Sequence, residues 1–421
     1  MIEHSSRTPG SGVGAMLSLS GTRLRFGQKN EERRLSLEKF FATCGRGIES
    51  VLADELRALG AEQVEPGRGG VSFCGNLALL YQANLWLRTA IRVLRPVLEA
   101  DVSSPDELYE AVRSLDWSRY LTPEHTLAVD CNVRDSYITH SKYAALRVKD
   151  AICDQFVERL GKRPSVDVDQ PMIGLNLHIY RNHAVLSLDS SGESLHKRGY
   201  RPIQTRAPLN EALAAALVLL TGWRGERPFA DPLCGSGTLA IEAAWIALRR
   251  PPGLTRKRFG FQGWMDFDVQ LWTALRDEAR RGIGRSLPVP ILASDARGDA
   301  VSLAIRNARA AGIGHLLRFN KRDLRAFQPP PFLYPSPVGG DKGGGVLLCN
   351  PPYGERLGEE KDLFNLYRLL GEIFTQRCRG WTAYVFTGNP RLATAIGLAP
   401  AAETPLYNGK IPCRLLKFDL K

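Results

Sequence analysis

After Pro208 the chain alternates apolar strands with amphipathic helices in one repeating order. "RPFADP" precedes a helix over 238–249, "PVPILASD" a helix over 299–311, and "HLLRFNKRD" leads to "GVLLCNPP" and a helix over 361–378. "WTAYVFTGN", a helix over 391–397 and a terminal pair ending "CRLLKFDLK" complete the series. Repeated strand-helix units with apolar strands require a parallel sheet covered on both faces. In such sheets ligands bind beyond the carboxyl ends of the strands. The chemistry of this half should therefore stand at its strand ends.

Three successive strands end in carboxylates, Asp231, Asp295 and Asp323. Each alone could simply cap the following turn. Three in register on one edge can grip a nucleoside, one beside a cationic amino group, one on ribose hydroxyls and one on the adenine amine. After the first of them, Asp231-Pro232-Leu233-Cys234-Gly235-Ser236-Gly237-Thr238 turns into a helix. Its two glycines permit close backbone approach to a ligand, although a Gly-x-Gly is also a common tight turn. No Gly-Lys-Ser/Thr follows, which excludes a phosphate loop. The segment about 20 residues on is the basic "TRKRFG", where a dinucleotide site would carry an acid.

The fourth strand delivers Asn350-Pro351-Pro352-Tyr353 to the same edge. Asn-Pro and Pro-Pro are turn formers, so a plain loop is one reading. The chemical reading is an acceptor pair for an exocyclic base amine, whose lone pair is delocalised into the ring. Accepting both protons, at the Asn350 side-chain oxygen and a prolyl carbonyl, localises and aims that lone pair. Proline presents an acceptor with no competing N–H. Tyr353 can stack on the base.

These segments carry a resemblance. "DPLCGSGTLAIEAA" and "NPPYGERL" resemble the cofactor and catalytic motifs of class I S-adenosylmethionine-dependent amino-methyltransferases. Together with "FATCGRGIESVLADEL", "SLDSSGESLHKRGYR" and "APLNEALAAAL", they are similar to the THUMP-containing RNA methyltransferases, nearest to the bacterial 23S rRNA guanine-N2 enzymes. The resemblance covers roughly residues 38–421. It implies an α/β chain: a Rossmann-like seven-stranded methyltransferase domain preceded by an α+β ferredoxin-like and THUMP unit. The expected segments are a disordered basic extension (1–37), a ferredoxin-like segment (38–80), THUMP (81–192), a linker (193–210) and the methyltransferase domain (211–421). The resemblance further implies a methyl acceptor at guanine N2, with Asn350, Pro351, Pro352 and Tyr353 receiving the flipped base. Asp231, Pro232, Cys234, Gly235, Ser236, Gly237 and Thr238 would line the methionine end of S-adenosylmethionine, with Asn350 bordering it. Asp295 would hold the ribose and Asp323 the adenine. Some relatives continue into a second methyltransferase domain; this chain ends without one, so a second modification is not expected.

The remaining chain fits that reading. A net charge of +12 over 421 residues favours a polyanionic partner. No apolar run approaches the roughly 18 residues that span a bilayer, so RNA gains over membrane. Residues 70–189 alternate short strands ("GGVSFCG", "TLAVDCNV", "GLNLHIY", "HAVLSLD") with helical stretches ("LALLYQANLWLRTAI", "SKYAALRVKDAICDQFVERL"), as an RNA platform would. Lys142, Arg147 and Lys149, with Lys197, Arg198 and Arg201 around Tyr200, are the expected RNA contacts, although a solvated helix face and a structured linker explain the same residues. The basic, aromatic stretch 249–264 either embraces RNA or packs as a surface loop. Eight cysteines without a Cys-x-x-Cys pair suit reduced thiols in the cytoplasm and no metal. Cys234 and Cys349 read as small buried residues rather than nucleophiles, and Glu242 either orients the cofactor or fills a helix position. Guanine-N2 methylation of tRNA and a nonenzymatic ribosome-assembly role are the rival functions; DNA adenine-N6 methylation is more distant.

Overall fold

The computed structural model describes residues 37–201, 209–330, 344–353 and 360–421. The N-terminal extension, part of the linker, most of the Pro/Gly-rich insert before Val346 and the "GERL" of the catalytic motif lie outside the described residues. Among the described residues no helix is long and apolar enough to cross a membrane.

In chain order the first half contains β1 (Glu38–Cys44), α1 (Glu49–Ala58), β2 (Glu62–Gly67), β3 (Gly70–Gly75), α2 (Leu77–Trp86) and β4 (Ala90–Asp101). It continues through α3 (Pro105–Ser114), β5 (Thr126–Arg134), α4 (Ser141–Leu160), β6 (Ser165–Val166), β7 (Ile173–Tyr180) and β8 (His183–Asp189). These eight strands form one sheet in the order β2-β3-β1-β4-β8-β7-β5-β6. The ferredoxin-like and THUMP portions thus share a sheet, joined where β4 pairs with β1 on one side and β8 on the other. Sequence reading ran α2 on to residue 91 and left β4 out. Pro96 lies inside this strand, and proline normally argues against a central strand. A register shift between Pro96 and Leu98 accommodates it.

The second half contains α5 (Glu211–Leu220), β9 (Phe229–Asp231), α6 (Thr238–Ala247), α7 (Val269–Arg281), β10 (Ile291–Asp295), α8 (Gly298–Ala310) and β11 (Arg318–Lys321). After these come β12 (Val346–Cys349), α9 (Glu360–Arg377), β13 (Thr382–Thr387), α10 (Pro390–Thr394), β14 (Ala402–Asn408) and β15 (Ile411–Asp419). The sheet runs β11-β10-β9-β12-β13-β15-β14. Pairing is parallel from β11 through β13, and β15 is antiparallel to both neighbours. This is the Rossmann-like seven-stranded sheet that the resemblance implies, and its parallel core is the one that the alternation called for. The strand order reverses between β9 and β12, and such a switch point opens a crevice at the carboxyl edge.

A buried polar hub ties the halves together. Glu242, on α6, is fully buried; its Oε1 accepts from the Tyr200 hydroxyl at 3.0 Å and lies 3.7 Å from Arg198 Nε. Arg198 also donates to the Leu195 carbonyl at 2.6 Å and to the Arg88 carbonyl. Arg88, from the turn between α2 and β4, donates in turn to the Trp245 and Arg250 carbonyls. Glu242 therefore joins the two halves of the chain, and a role in orienting a cofactor is not needed to explain it.

The stretch 249–264 serves the same contact. Phe259, Phe261 and Trp264 are buried, and Phe261 stacks on Tyr81 at 4.4 Å. Arg256 donates to the Ser191, Glu193 and Ser194 carbonyls. The aromatics weld the two halves, so the embrace of RNA considered for them does not occur through these rings. Removing one member of a buried ion pair strands the other charge. Glu242→Ala is expected to lower unfolding free energy by about 3–5 kcal/mol, read from urea denaturation. A loss below 1 kcal/mol would contradict the hub.

Candidate active site

The crevice is built from the ends of β9, β10 and β12. Parallel register places Asp231 opposite Ala293, so Asp295 stands two residues beyond it. Leu347 pairs with Ala230, and Asn350 therefore also projects past the end of β9. Asp231 and Asn350 flank the switch point.

The glycine turn is held by backbone and side-chain bonds. Cys234 N–H donates to the Ser294 carbonyl at 2.9 Å, and Gly235 N–H to Asp295 Oδ2 at 3.0 Å. Gly235 (φ +50°) and Gly237 (φ +80°) occupy the left-handed region. A Cβ on Gly237 would lie 2.9 Å from Ala304 Cβ on α8, so the turn packs too closely for any other residue. At Gly235 nothing would lie within 4 Å, which leaves the backbone facing open space. Asn307, buried on α8, donates from Nδ2 to the Ser236 carbonyl at 3.0 Å. An Asn within a helix offers no sequence signal of this contact, which depends on how α8 packs against the turn. Pro232, Cys234 and Thr238 are buried in the turn, and the Ser236 and Thr238 hydroxyls meet at 3.2 Å.

Asp231 is 1% exposed. Burial pushes its carboxyl up to about 8, against a hydrogen bond from Leu233 N–H and with the Asp295 charge adding to the rise. Its neighbours are thus a backbone donor and another acid. Asp295 Oδ1 accepts from Arg297 N–H at 2.9 Å. Asp323 is exposed and accepts from Arg325 N–H at 2.8 Å, capping a single 3-10 turn over Leu324–Ala326.

Asn350 differs from these acids. Its Oδ1 is buried and has no hydrogen-bond partner among the described residues. A buried acceptor without a donor is costly and points to a ligand or to a stored constraint. Pro351 is buried, Pro352 exposed and Tyr353 half-buried. The Tyr353 hydroxyl accepts from Asn408 Nδ2 at 2.8 Å, and burial foremost pushes the phenol up to about 12. The Asn408-Gly409 pair between two apolar runs is a hairpin signal that sequence reading could have used. Burial likewise raises the Cys234 and Cys349 thiols, so neither is a thiolate nucleophile. Among the described residues no group of His, Cys, Asp or Glu could hold a metal ion.

The expected RNA contacts divide. Lys142 is exposed, and Lys197 is exposed with a pair to Glu193. Arg147 lies over the Tyr109 ring and pairs with Asp106 at 2.7 Å; Lys149 pairs with Asp150. Arg198 and Tyr200 belong to the buried hub, and Arg201 is mostly buried, donating to the Leu209 carbonyl and the Thr238 hydroxyl beside Glu211. These last three do not face RNA. The basic string at 197–201 reads as surface only until its tertiary neighbours are known.

A Rossmann-like sheet with acidic strand ends, a glycine turn and an Asn-Pro-Pro-Tyr edge defines a class I methyltransferase. Residues 198–417 match the RMKL-like methyltransferase domain, residues 39–94 the RlmL ferredoxin-like domain and residues 102–189 the THUMP domain. The chain belongs to this RMKL-like methyltransferase family. A Synechocystis protein named "Putative RNA methyltransferase" is 44% identical, over 90% of this chain and 96% of its own length. The ribosomal RNA large subunit methyltransferase K/L of Syntrophotalea carbinolica is 49% identical over 91% of this chain. The chain spans about half (53%) of that relative's length. The solved structure of "SMU.472, a putative methyltransferase complexed with SAH" superposes with a TM-score of 0.82 at 31% identity, covering 91% of this chain and 98% of that one.

The raised Asp231 carboxyl has a stability consequence. The folded protein holds this proton to about pH 8, whereas the unfolded chain releases it near the ordinary Asp value of about 3.9. The stabilising contribution is therefore full at low pH and is lost as pH rises through the folded value. Asp231→Asn escapes that loss. Its Tm minus the wild-type Tm is expected to grow from pH 5 to 8 and level off above, measured by scanning calorimetry. A difference that shrinks over this range would refute the assignment.

Proposed function

We propose that the chain methylates the exocyclic N2 amine of a guanosine in 23S rRNA, with S-adenosylmethionine as methyl donor. The observation that carries this reading is the buried Asn350 Oδ1, without a hydrogen-bond partner among the described residues, at the switch point of a methyltransferase sheet. A carboxamide oxygen there takes one proton of an amine that the solvent no longer reaches. The Pro351 carbonyl takes the other, from a residue with no N–H to compete. With both protons held, the nitrogen lone pair is localised out of the ring and aimed along one direction. Tyr353 offers its ring face to the extruded base, whose unstacking costs a few kcal/mol.

The residues of the glycine turn fit the cofactor. Gly235 leaves room for a ligand, and Asp231, desolvated beside another acid, is stabilised as carboxylate by an approaching cation. Asp231, Pro232, Cys234, Gly235, Ser236, Gly237 and Thr238 are assigned to its methionine end. Asp295 is assigned to its ribose and Asp323 to its adenine, with Asn350 at the border. When bound, S-adenosylmethionine supplies an electrophilic methyl group. The methylated amine sheds its proton to water, and no side-chain base is needed.

The THUMP match supports an RNA substrate, and the names of the K/L relatives support the large ribosomal subunit. Lys142, Arg147, Lys149 and Lys197 are the candidate phosphate contacts. Free cysteines and the absence of a spanning helix among the described residues suit a cytoplasmic enzyme acting on rRNA or an assembling 50S particle.

The test uses the purified chain, labelled S-adenosylmethionine and unmodified 23S rRNA, with tRNA in parallel. Label is expected in 23S rRNA as N2-methylguanosine by mass mapping. Asn350→Ala should lower incorporation by about 100-fold or more with cofactor Kd unchanged by calorimetry. Label in tRNA alone would move the substrate assignment, and undiminished transfer by the variant would remove Asn350 from the chemistry.

A further inference from the structure

Tyr353 is fixed by a second element, the hairpin of β14 and β15. Its strands close at the Asn408 and Ile411 pair, with Gly409 (φ +61°) in the turn. Asn408 projects from this tip to donate its Nδ2–H to the Tyr353 hydroxyl at 2.8 Å. Cys413 Sγ, on the returning strand, lies 3.9 Å from the same oxygen. From the sheet side the ring is pressed against Gly388. A Cβ there would come 3.0 Å from Tyr353 Cε2 and 3.1 Å from Ile411 Cγ2, so any side chain at this position would crowd both the ring and the hairpin. The edge of Phe386 completes the seat, with ring centroids 6.5 Å apart.

The hairpin is itself held by the N-terminal domain. Arg46 lies over the Tyr407 ring at 4.3 Å, one residue from Asn408. A Cβ on Gly47 (φ +93°) would come 3.1 Å from the Pro405 carbonyl oxygen and 3.2 Å from Leu406 Cα. The turn between β1 and α1 therefore seats directly on the hairpin backbone. Glu49 stiffens that turn by accepting from Gly47 N–H at 2.7 Å and Gly69 N–H at 2.9 Å. A continuous line of contacts runs from the ferredoxin-like domain through Arg46, Tyr407 and Asn408 to Tyr353.

We propose that Asn408 is a positioning residue for methyl transfer. Its hydrogen bond sets the plane of the Tyr353 ring against which the target base rests, and the N-terminal turn fixes the hairpin that carries it. The inference rests on the functional reading above, in which Tyr353 receives the base. Asn408 touches neither base nor cofactor in this scheme and acts through Tyr353 alone. A ring free to tilt leaves the amine away from the Asn350 and Pro351 acceptors, and small misplacements of a reacting group cost rate steeply.

The experiment is a double-mutant cycle in the full chain, with 23S rRNA and S-adenosylmethionine. Tyr353→Phe keeps the ring and removes the tether; Asn408→Ala removes the donor. Each single variant is expected to lower kcat about five- to tenfold, the equivalent of one lost hydrogen bond. Cofactor Kd should stay within about twofold of wild type, as expected for a contact outside the cofactor site. The double variant should be no slower than Tyr353→Phe. Asn408→Leu, which keeps the side-chain volume but can neither give nor accept a hydrogen bond, should match Asn408→Ala. Wild-type kcat in Asn408→Ala, or the same further loss when it is added to Tyr353→Phe, overturns the proposal. A wild-type chain that binds cofactor but methylates no RNA overturns the functional reading beneath it, and the inference falls with that reading.

Discussion

The buried hub around Glu242 is the interaction on which the arrangement of this chain depends. A carboxylate of zero exposure, a guanidinium of 1% exposure and a tyrosine hydroxyl meet between α6 and the residues that leave the platform. Buried ion pairs add little net stability, because desolvation offsets attraction. They do discriminate sharply against arrangements that leave one charge unmatched. Here the matched geometry sets the platform against α6 of the methyltransferase domain, the helix that follows the glycine turn. The aromatic stack of Tyr81, Phe261 and Trp272 supplies the apolar area at the same contact.

From that fixed relation the site follows. The glycine turn leads from β9 into α6, the helix that carries Glu242, and Arg201 bonds the Thr238 hydroxyl at the start of that helix. At the other end of the sheet edge, the β14–β15 hairpin meets the turn between β1 and α1 and bonds Tyr353. The platform therefore touches both sides of the crevice. The glycine turn and the Tyr353 ring are thus both referred to the platform through direct contacts.

Much of the second half was legible in the chain. Alternating apolar strands and helices specify a parallel sheet, and such a sheet gathers its strand ends on one edge. Asp231, Asp295 and Asn350 could be placed at one crevice before any coordinate was known. Three features were not legible. β4 was masked by Pro96, whose cost is absorbed by a local register shift. The basic string around Arg198 looked like an RNA contact, since nothing local distinguishes an exposed arginine from one that meets a buried glutamate 44 residues later. The rings of 259–264 had the composition of a stacking surface, but Tyr81 and Trp272 cover them.

What the sequence by itself determined is a parallel sheet and the order in which Asp231, Asp295 and Asn350 come to its edge. These depend on local periodicity and on the fixed direction of parallel strands. What only the tertiary structure decided is which polar groups retain free valence. Among the described residues Asn350 Oδ1 is left without a partner, while Tyr353 is tethered by Asn408 and Arg198 is paired in charge with Glu242 at 3.7 Å. The reason is that hydrogen bonding is settled by distance in space, between residues 55 positions apart at Tyr353 and Asn408 and 42 apart at Tyr200 and Glu242, and spacing along the chain does not record which.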